Sequence, residues 1–251
     1  MPLPDLIDPY VAEQSEAISV GTLRLGSWRL CLEREALSTP HLKQAYRAIA
    51  GRWGRALKKL KVADAYGALF QALPGLASLK ASVEPVRVLD CGVGAGDFSA
   101  ALADALDGNA SITGVDVSPE MLALASENLD GQRDVTLREA DVRSLPFPDD
   151  HFDVVIGAHV LEHLADPEIG FAEMMRVLKP GGRMVLCITQ RSAFGFYIHL
   201  IWRTQVKPAA WWRAMLARSR QLRAVQRQED IGGYFSRMSW VVTGVKVSAE
   251  D

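Results

Sequence analysis

The chain has 251 residues, 49% of them apolar, with 28 basic and 30 acidic side chains and a net charge of −2. That length and apolar content suffice for a full core in one large domain or a domain with appendages, and three widely spaced cysteines, Cys31, Cys91 and Cys187, supply neither a disulfide framework nor a metal knuckle. The near-neutral total conceals a division: residues 84–186 hold 19 acids against 7 bases, while the rest of the chain holds 11 against 21, with all six tryptophans and all five tyrosines.

The first residues show neither the basic start nor the apolar run of a signal peptide. The apolar stretch 194–206 is interrupted by His199, Arg203, Thr204 and Gln205, well short of the roughly 20 apolar residues that span a bilayer. A soluble, cytoplasmic protein is expected. Residues 1–83 read as an N-terminal helical segment on the substrate side, with a basic helical pattern over 41–60 and a more apolar one over 64–73.

From residue 84 the pattern changes. Apolar, β-branched runs at 86–91, 111–116, 134–139, 152–158 and 183–189 alternate with amphipathic stretches at 97–106, 118–129 and 167–178, which predicts an α/β fold with a parallel sheet wrapped by helices. Ser118-Pro119-Glu120 is a helix start, with a capping hydroxyl, a proline at the first helical position and an acid in the first turn. Lys179-Pro180-Gly181-Gly182 is a helix stop. Residues 191–228 carry eight bases and no acid. There Pro208 opens a helix running to about 221 within an insertion at 191–221, and strand-like runs follow at 222–226 and 239–247.

The segment Asp90-Cys91-Gly92-Val93-Gly94-Ala95-Gly96-Asp97 carries the chemistry. A buried strand runs into a glycine turn that opens a helix, so the backbone can approach a ligand and the helix offers free N–H groups. A dinucleotide fingerprint counted from Gly92 needs glycine or alanine at 97, where Asp97 stands. Asp90 and Asp97 would repel a pyrophosphate and favour a ligand bearing an ammonium or sulfonium. Asp116, ending the second of these strands 20 residues after Gly96, is placed to accept both hydroxyls of a ribose. Asp141, after the third strand, can accept from an exocyclic adenine amine, with Val117 and Val142 as apolar walls.

The chain resembles a class I S-adenosylmethionine-dependent methyltransferase, similar to the ubiquinone and menaquinone biosynthesis C-methyltransferase group. The resemblance rests on Leu89-Asp90-Cys91-Gly92-Val93-Gly94-Ala95-Gly96, Gly114-Val115-Asp116-Val117-Ser118-Pro119-Glu120, Ala140-Asp141-Val142, Phe152-Asp153-Val154-Val155, Val160-Leu161-Glu162-His163-Leu164 and Arg176-Val177-Leu178-Lys179-Pro180-Gly181-Gly182. It implies a three-layer Rossmann-like sandwich whose seven-stranded, mostly parallel sheet has the order 3-2-1-4-5-7-6, with N-terminal helices and a helical insertion after strand five. The methyltransferase domain would then occupy 84–251. The resemblance also implies that the loop from Gly92 to Gly96 cradles the methionine end of S-adenosylmethionine and that Ala158 meets the cofactor through its backbone. The flanks depart from that group, so its substrate does not carry over.

For an acceptor that must lose a proton a general base is expected. The candidates are His159, just past the fourth strand, and His199 in the aromatic flank; packing roles compete for both, and His163 reads as structural. No His/Cys cluster has metal-ligand spacing, and no metal is expected. Phe194, Phe196, Tyr197, Trp202, Trp211 and Trp212 line an apolar lid over a small acceptor in one reading. In a second, the basic flank rests on anionic lipid; in a third, positive helices pack on a negative core. Nucleic acid is disfavoured as a partner, because the chain is slightly acidic and shows no recognition module. The functional alternatives are a membrane-peripheral lipid methyltransferase, a cofactor-binding adaptor without catalysis, and a nicotinamide oxidoreductase, which Asp97 disfavours.

Overall fold

A computed structural model describes residues 17–35, 40, 43, 62–190, 192, 204–205, 207–218, 222–227 and 239–247. Strands β1 (Ala17–Leu25) and β2 (Trp28–Glu35) form an antiparallel hairpin. Helices α1 (Val62–Gln71) and α2 (Leu76–Lys80) lead into β3 (Val86–Cys91), α3 (Asp97–Ala105), β4 (Ala110–Asp116), α4 (Pro119–Asn128), β5 (Val135–Glu139) and β6 (Phe152–Ala158). A 3-10 turn at Leu161–His163 precedes α5 (Pro167–Val177), β7 (Leu178–Thr189), α6 (Ala209–Arg218), β8 (Leu222–Arg227) and β9 (Ser239–Lys246).

Seven strands make one sheet in the order β5-β4-β3-β6-β7-β9-β8. Pairing is parallel from β5 to β7, and β9 runs antiparallel to both its neighbours. The central strands read as continuous apolar runs because both faces are covered. On one face Val88, Ile112, Val154 and Val185 pack beneath Leu69 and Phe70 of α1 and Phe98 and Leu102 of α3. On the other, Leu89, Val155 and Leu186 meet Phe171 and Met174 of α5 and Trp212 and Leu216 of α6. The Ser118 hydroxyl accepts from Met121 N–H and caps α4 as expected.

Three expectations need correction. Residues 1–83 are not uniformly helical: the stretch 17–35 is a hairpin, because Leu23 and Leu25 before Gly26-Ser27, and Trp28 and Leu30 after it, alternate with Arg24 and Arg29 at a period of two. Gly26 has φ 61° at the first of the two turn positions, where such tight turns favour glycine. Second, Leu178 pairs with Phe152 before Lys179-Pro180-Gly181-Gly182 leaves the ladder, which resumes with Arg183 opposite Val154. The helix does end at Val177, as the stop predicts; the strand, however, begins at Leu178, so the stop segment is an excursion within it. Third, Trp212 is 1% exposed and belongs to the core beside Trp240. It fills the space between α6 and the sheet and does not line a lid, whereas half-buried Trp211 stacks under the Lys207 ammonium. Phe194, Phe196, Tyr197, His199, Trp202 and most of 41–60 lie outside the described residues.

Candidate functional site

The expected cofactor residues from three strands meet at the carboxyl edge of the sheet. The loop after β3 is pinned to the end of β4, where Gly92 and Val93 N–H groups both donate to Val115 O, at 2.8 and 2.9 Å. Gly92, Gly94 and Gly96 have φ of 72°, 54° and 86°, a left-handed path that side chains with a Cβ resist. A Cβ on Gly92 would also lie 2.8 Å from a Val160 methyl carbon. The loop is therefore glycine-built for both its twist and its closeness to the end of β6.

Asp116 sits under this loop. Its Oδ2 accepts from Gly94 N–H at 3.0 Å and its Oδ1 from Ser118 N–H at 2.9 Å, so the carboxylate spans the two segments a nucleoside would touch. Burial raises its pKa, against the backbone N–H groups of Ser118, Gly94 and Val117, which lower it. Asp90, at 0% exposure, faces α3, and its Oδ2 accepts from Ser99 Oγ at 2.7 Å. Its Oδ1 has no hydrogen-bond partner among the described residues. Burial, with the nearby Asp116 charge, pushes this carboxyl up to about 7, although the Ser99 hydroxyl opposes the shift.

Asp141 is held differently from the expectation of a free acceptor. The Arg143 guanidinium chelates it, with Nη2 2.7 Å from Oδ2, and Arg143 N–H donates to Oδ1 at 2.9 Å. Burial alone would raise this carboxyl, but the Arg143 bonds and charge outweigh it and the net shift is downward. Val117 is half-buried beside the loop, while Val142 is 5% exposed and packs into the core with Phe171. Ala158 is partly buried at the end of β6.

Next to Ala158, His159 takes φ 58° and donates its N–H to Cys187 O at 2.8 Å. Its Nδ1 lies 3.0 Å from Glu162 Oε1 and 3.0 Å from Thr189 Oγ1, and its Nε2 lies 3.2 Å from Ser239 Oγ. Glu162 is 1% exposed, and its Oε1 also accepts from Thr189 N–H and Oγ–H, at 3.0 and 2.7 Å. Burial would raise Glu162, but the His159 bond, the two imidazoles and Thr189 together hold it down at about 2. His163 is pushed by burial down to about 4, in keeping with a neutral, structural imidazole.

Sequence reasoning missed Glu162, Thr189, Ser239 and Arg143. The H-x-x-E spacing of His159 and Glu162 and the D-x-R spacing of Asp141 and Arg143 offered local signals; Thr189 and Ser239 had none. A cleft of about 740 Å³ lies at the opposite, amino-terminal edge, lined by Glu84, Arg87, Asp134, Asp153 and Lys179 among others. Its Asp153 already accepts from Lys179 and from Arg87 N–H, so it presents no comparable set of buried acids. Among the described residues no group of three or more His, Cys, Asp or Glu side chains could hold a metal ion, and no helix is long and apolar enough to cross a membrane.

The topology and the carboxyl-edge site define a doubly wound α/β protein of the kind that binds nucleotide-bearing ligands. More specifically, residues 89–186 match the family model described as a methyltransferase domain. The chain is 41% identical over 109 residues to a demethylmenaquinone methyltransferase of Clavibacter sepedonicus, a match covering 42% of this chain and 43% of the relative. The match thus spans less than half the length of that relative. Among solved structures, a chain from the complex between the Haloferax volcanii Trm112 methyltransferase activator and a methyltransferase superposes with a TM-score of 0.63 at 22% identity, covering 82% of this chain and 98% of that one. A SAM-dependent methyltransferase from Aquifex aeolicus gives a TM-score of 0.51 at 20% identity, covering 70% and 94%. These likenesses establish the fold.

Proposed function

We propose that the chain is an S-adenosylmethionine-dependent methyltransferase of the cytoplasm, acting on a small, largely apolar acceptor of quinone type. The observation that carries this reading is Asp116 held beneath the left-handed glycine loop by Gly94 N–H. The residues fit the cofactor: Gly92 and Gly94 leave the loop partly exposed without side chains, Asp116 can exchange the Gly94 bond for ribose hydroxyls, and the buried Asp90 carboxyl has an oxygen without a partner. When bound, the cofactor supplies an electrophilic methyl carbon on a good leaving group. The chain's part is to align the acceptor with that carbon and to exclude water, which contributes about 7 to 11 kcal/mol in well-oriented reactions. The quinone-type acceptor is supported by the name of the Clavibacter relative.

Calorimetric titration with S-adenosylhomocysteine tests the reading. Wild type is expected to bind, and Asp116→Ala to keep its circular dichroism and lose the heat; a wild type that gives no heat overturns it.

A second reading, methylation of a lipid at a membrane surface, is favoured by the hairpin. Leu23, Leu25, Trp28 and Leu30 are cross-strand partners on one face and each is more than half exposed, with Arg24 and Arg29 paired on the other face. Sedimentation with anionic vesicles, lost on Trp28→Ser, would support it; wild type remaining in the supernatant would rule it out.

A further inference from the structure

The group of His159, Glu162, Thr189 and Ser239 lies outside the set of residues proposed above to hold the nucleoside. It joins three elements far apart in sequence, the end of β6 with its 3-10 turn, the end of β7 and the start of β9. An ionised carboxylate only accepts hydrogen bonds. Glu162 Oε1 therefore requires a proton on His159 Nδ1, and Thr189, whose hydroxyl is used toward Glu162, can only accept there. In the neutral imidazole the lone pair is then on Nε2, facing the Ser239 hydroxyl as its donor. The His159 backbone lies in the left-handed region at φ 58°, a conformation that costs free energy in a residue with a Cβ and that clusters at functional sites. Its side chain is one-third exposed while Glu162 behind it is buried.

We propose that His159 is the general base of the methyl transfer, with Nε2 as the accepting atom at the place now taken by the Ser239 hydroxyl, and that Glu162 is a positioning residue fixing the tautomer through Nδ1. This deepens the function proposed above and rests on it. It also narrows the acceptor to a group that loses a proton, a quinol hydroxyl in a quinone-type substrate, and not an atom that attacks unaided. The acceptor's O–H bond breaks toward His159 Nε2. The phenolate's electron pair, delivered through the ring carbon, forms the bond to the methyl carbon, and the methyl–sulfur pair goes to sulfur. The ring carbon then loses its own proton to restore the aromatic ring, the oxygen regains one, and the imidazolium returns its proton to solvent.

Two measurements on the full chain test this. Long-range ¹H–¹⁵N NMR, with the His159 signals assigned by their loss in His159→Asn, is expected to show His159 protonated on Nδ1 in wild type. In Glu162→Gln it should show a mixture of tautomers, and in Glu162→Asp a partial return. Protonation on Nε2 in wild type, or a tautomer indifferent to Glu162, overturns the positioning role. Transfer of tritiated methyl to demethylmenaquinol is expected to fall about 100-fold in kcat for His159→Asn, and by a smaller factor for Glu162→Gln, with KM and S-adenosylhomocysteine binding unchanged. Wild type that binds S-adenosylhomocysteine but leaves demethylmenaquinol unmethylated overturns the acceptor class. Variants that bind it and turn over as wild type overturn the base while leaving the proposed function standing.

Discussion

Asp90 at the end of β3 and Glu162 just past β6 are both buried carboxyls, at 0% and 1% exposure, yet their environments push them in opposite directions. Asp90 has one hydroxyl partner and an acidic neighbour, so burial prevails and the neutral form is favoured up to about pH 7. Glu162 has an imidazole, a hydroxyl and a backbone N–H on one oxygen, and these overcome the same burial and hold it near 2. Desolvation sets the cost of a buried charge, and the partners decide whether the charge is kept. The first arrangement leaves an acid waiting for a cation; the second uses a permanent anion to orient a neighbouring ring.

The largest test of this contrast is the pH dependence of stability. The folded-state pKa of Asp90 lies above its unfolded value, so its contribution is full below about pH 4 and is lost as pH rises through 7. The rise from 3.8 to about 7 corresponds to about 4 kcal/mol. Urea unfolding of wild type and Asp90→Asn between pH 4 and 8 should show that decline only in wild type; parallel curves would break the comparison. Glu162 is the reverse case, because its folded pKa is depressed. Its stabilisation is present above pH 4.5 and is lost as pH falls toward 2, an effect of about 3 kcal/mol. Glu162→Gln should abolish that acid-side loss in the same unfolding experiment, and a variant as acid-sensitive as wild type would refute it. The smallest effect sharpens the first acid alone. Ser99→Ala removes the one hydroxyl bonded to Asp90 and should cost about 1 to 2 kcal/mol at pH 8, less at pH 5 where the carboxyl is protonated.

What the sequence disclosed follows from range. β3 and β6 are readable to the residue because each is a short, mostly buried and largely apolar run bounded by turn residues. The Ser118 cap was legible because capping is a matter of three neighbouring residues. Asp116 was legible because strand, turn and helix fix where it stands relative to the loop. By contrast, the bonds from His159 to Thr189 and Ser239 span 30 and 80 residues, and no local spacing announces them. The Arg143 clamp on Asp141 is local, but the acid alone carried the sequence reading and its basic neighbour two positions on was passed over. The hairpin at 17–35 was absorbed into a helical reading of the whole flank, even though its two-residue alternation contradicted that reading locally.

The excursion of four residues out of β7 has a practical use. Pro180 and Gly181 are exposed, and a Cβ at Gly181 would meet nothing within 4 Å, at the end of the sheet remote from the glycine loop and His159. Exposed loop tips of this kind accept added chain readily. An epitope or fluorophore-attachment peptide spliced between these two residues would report on the molecule in a cell extract while leaving the reactive edge untouched.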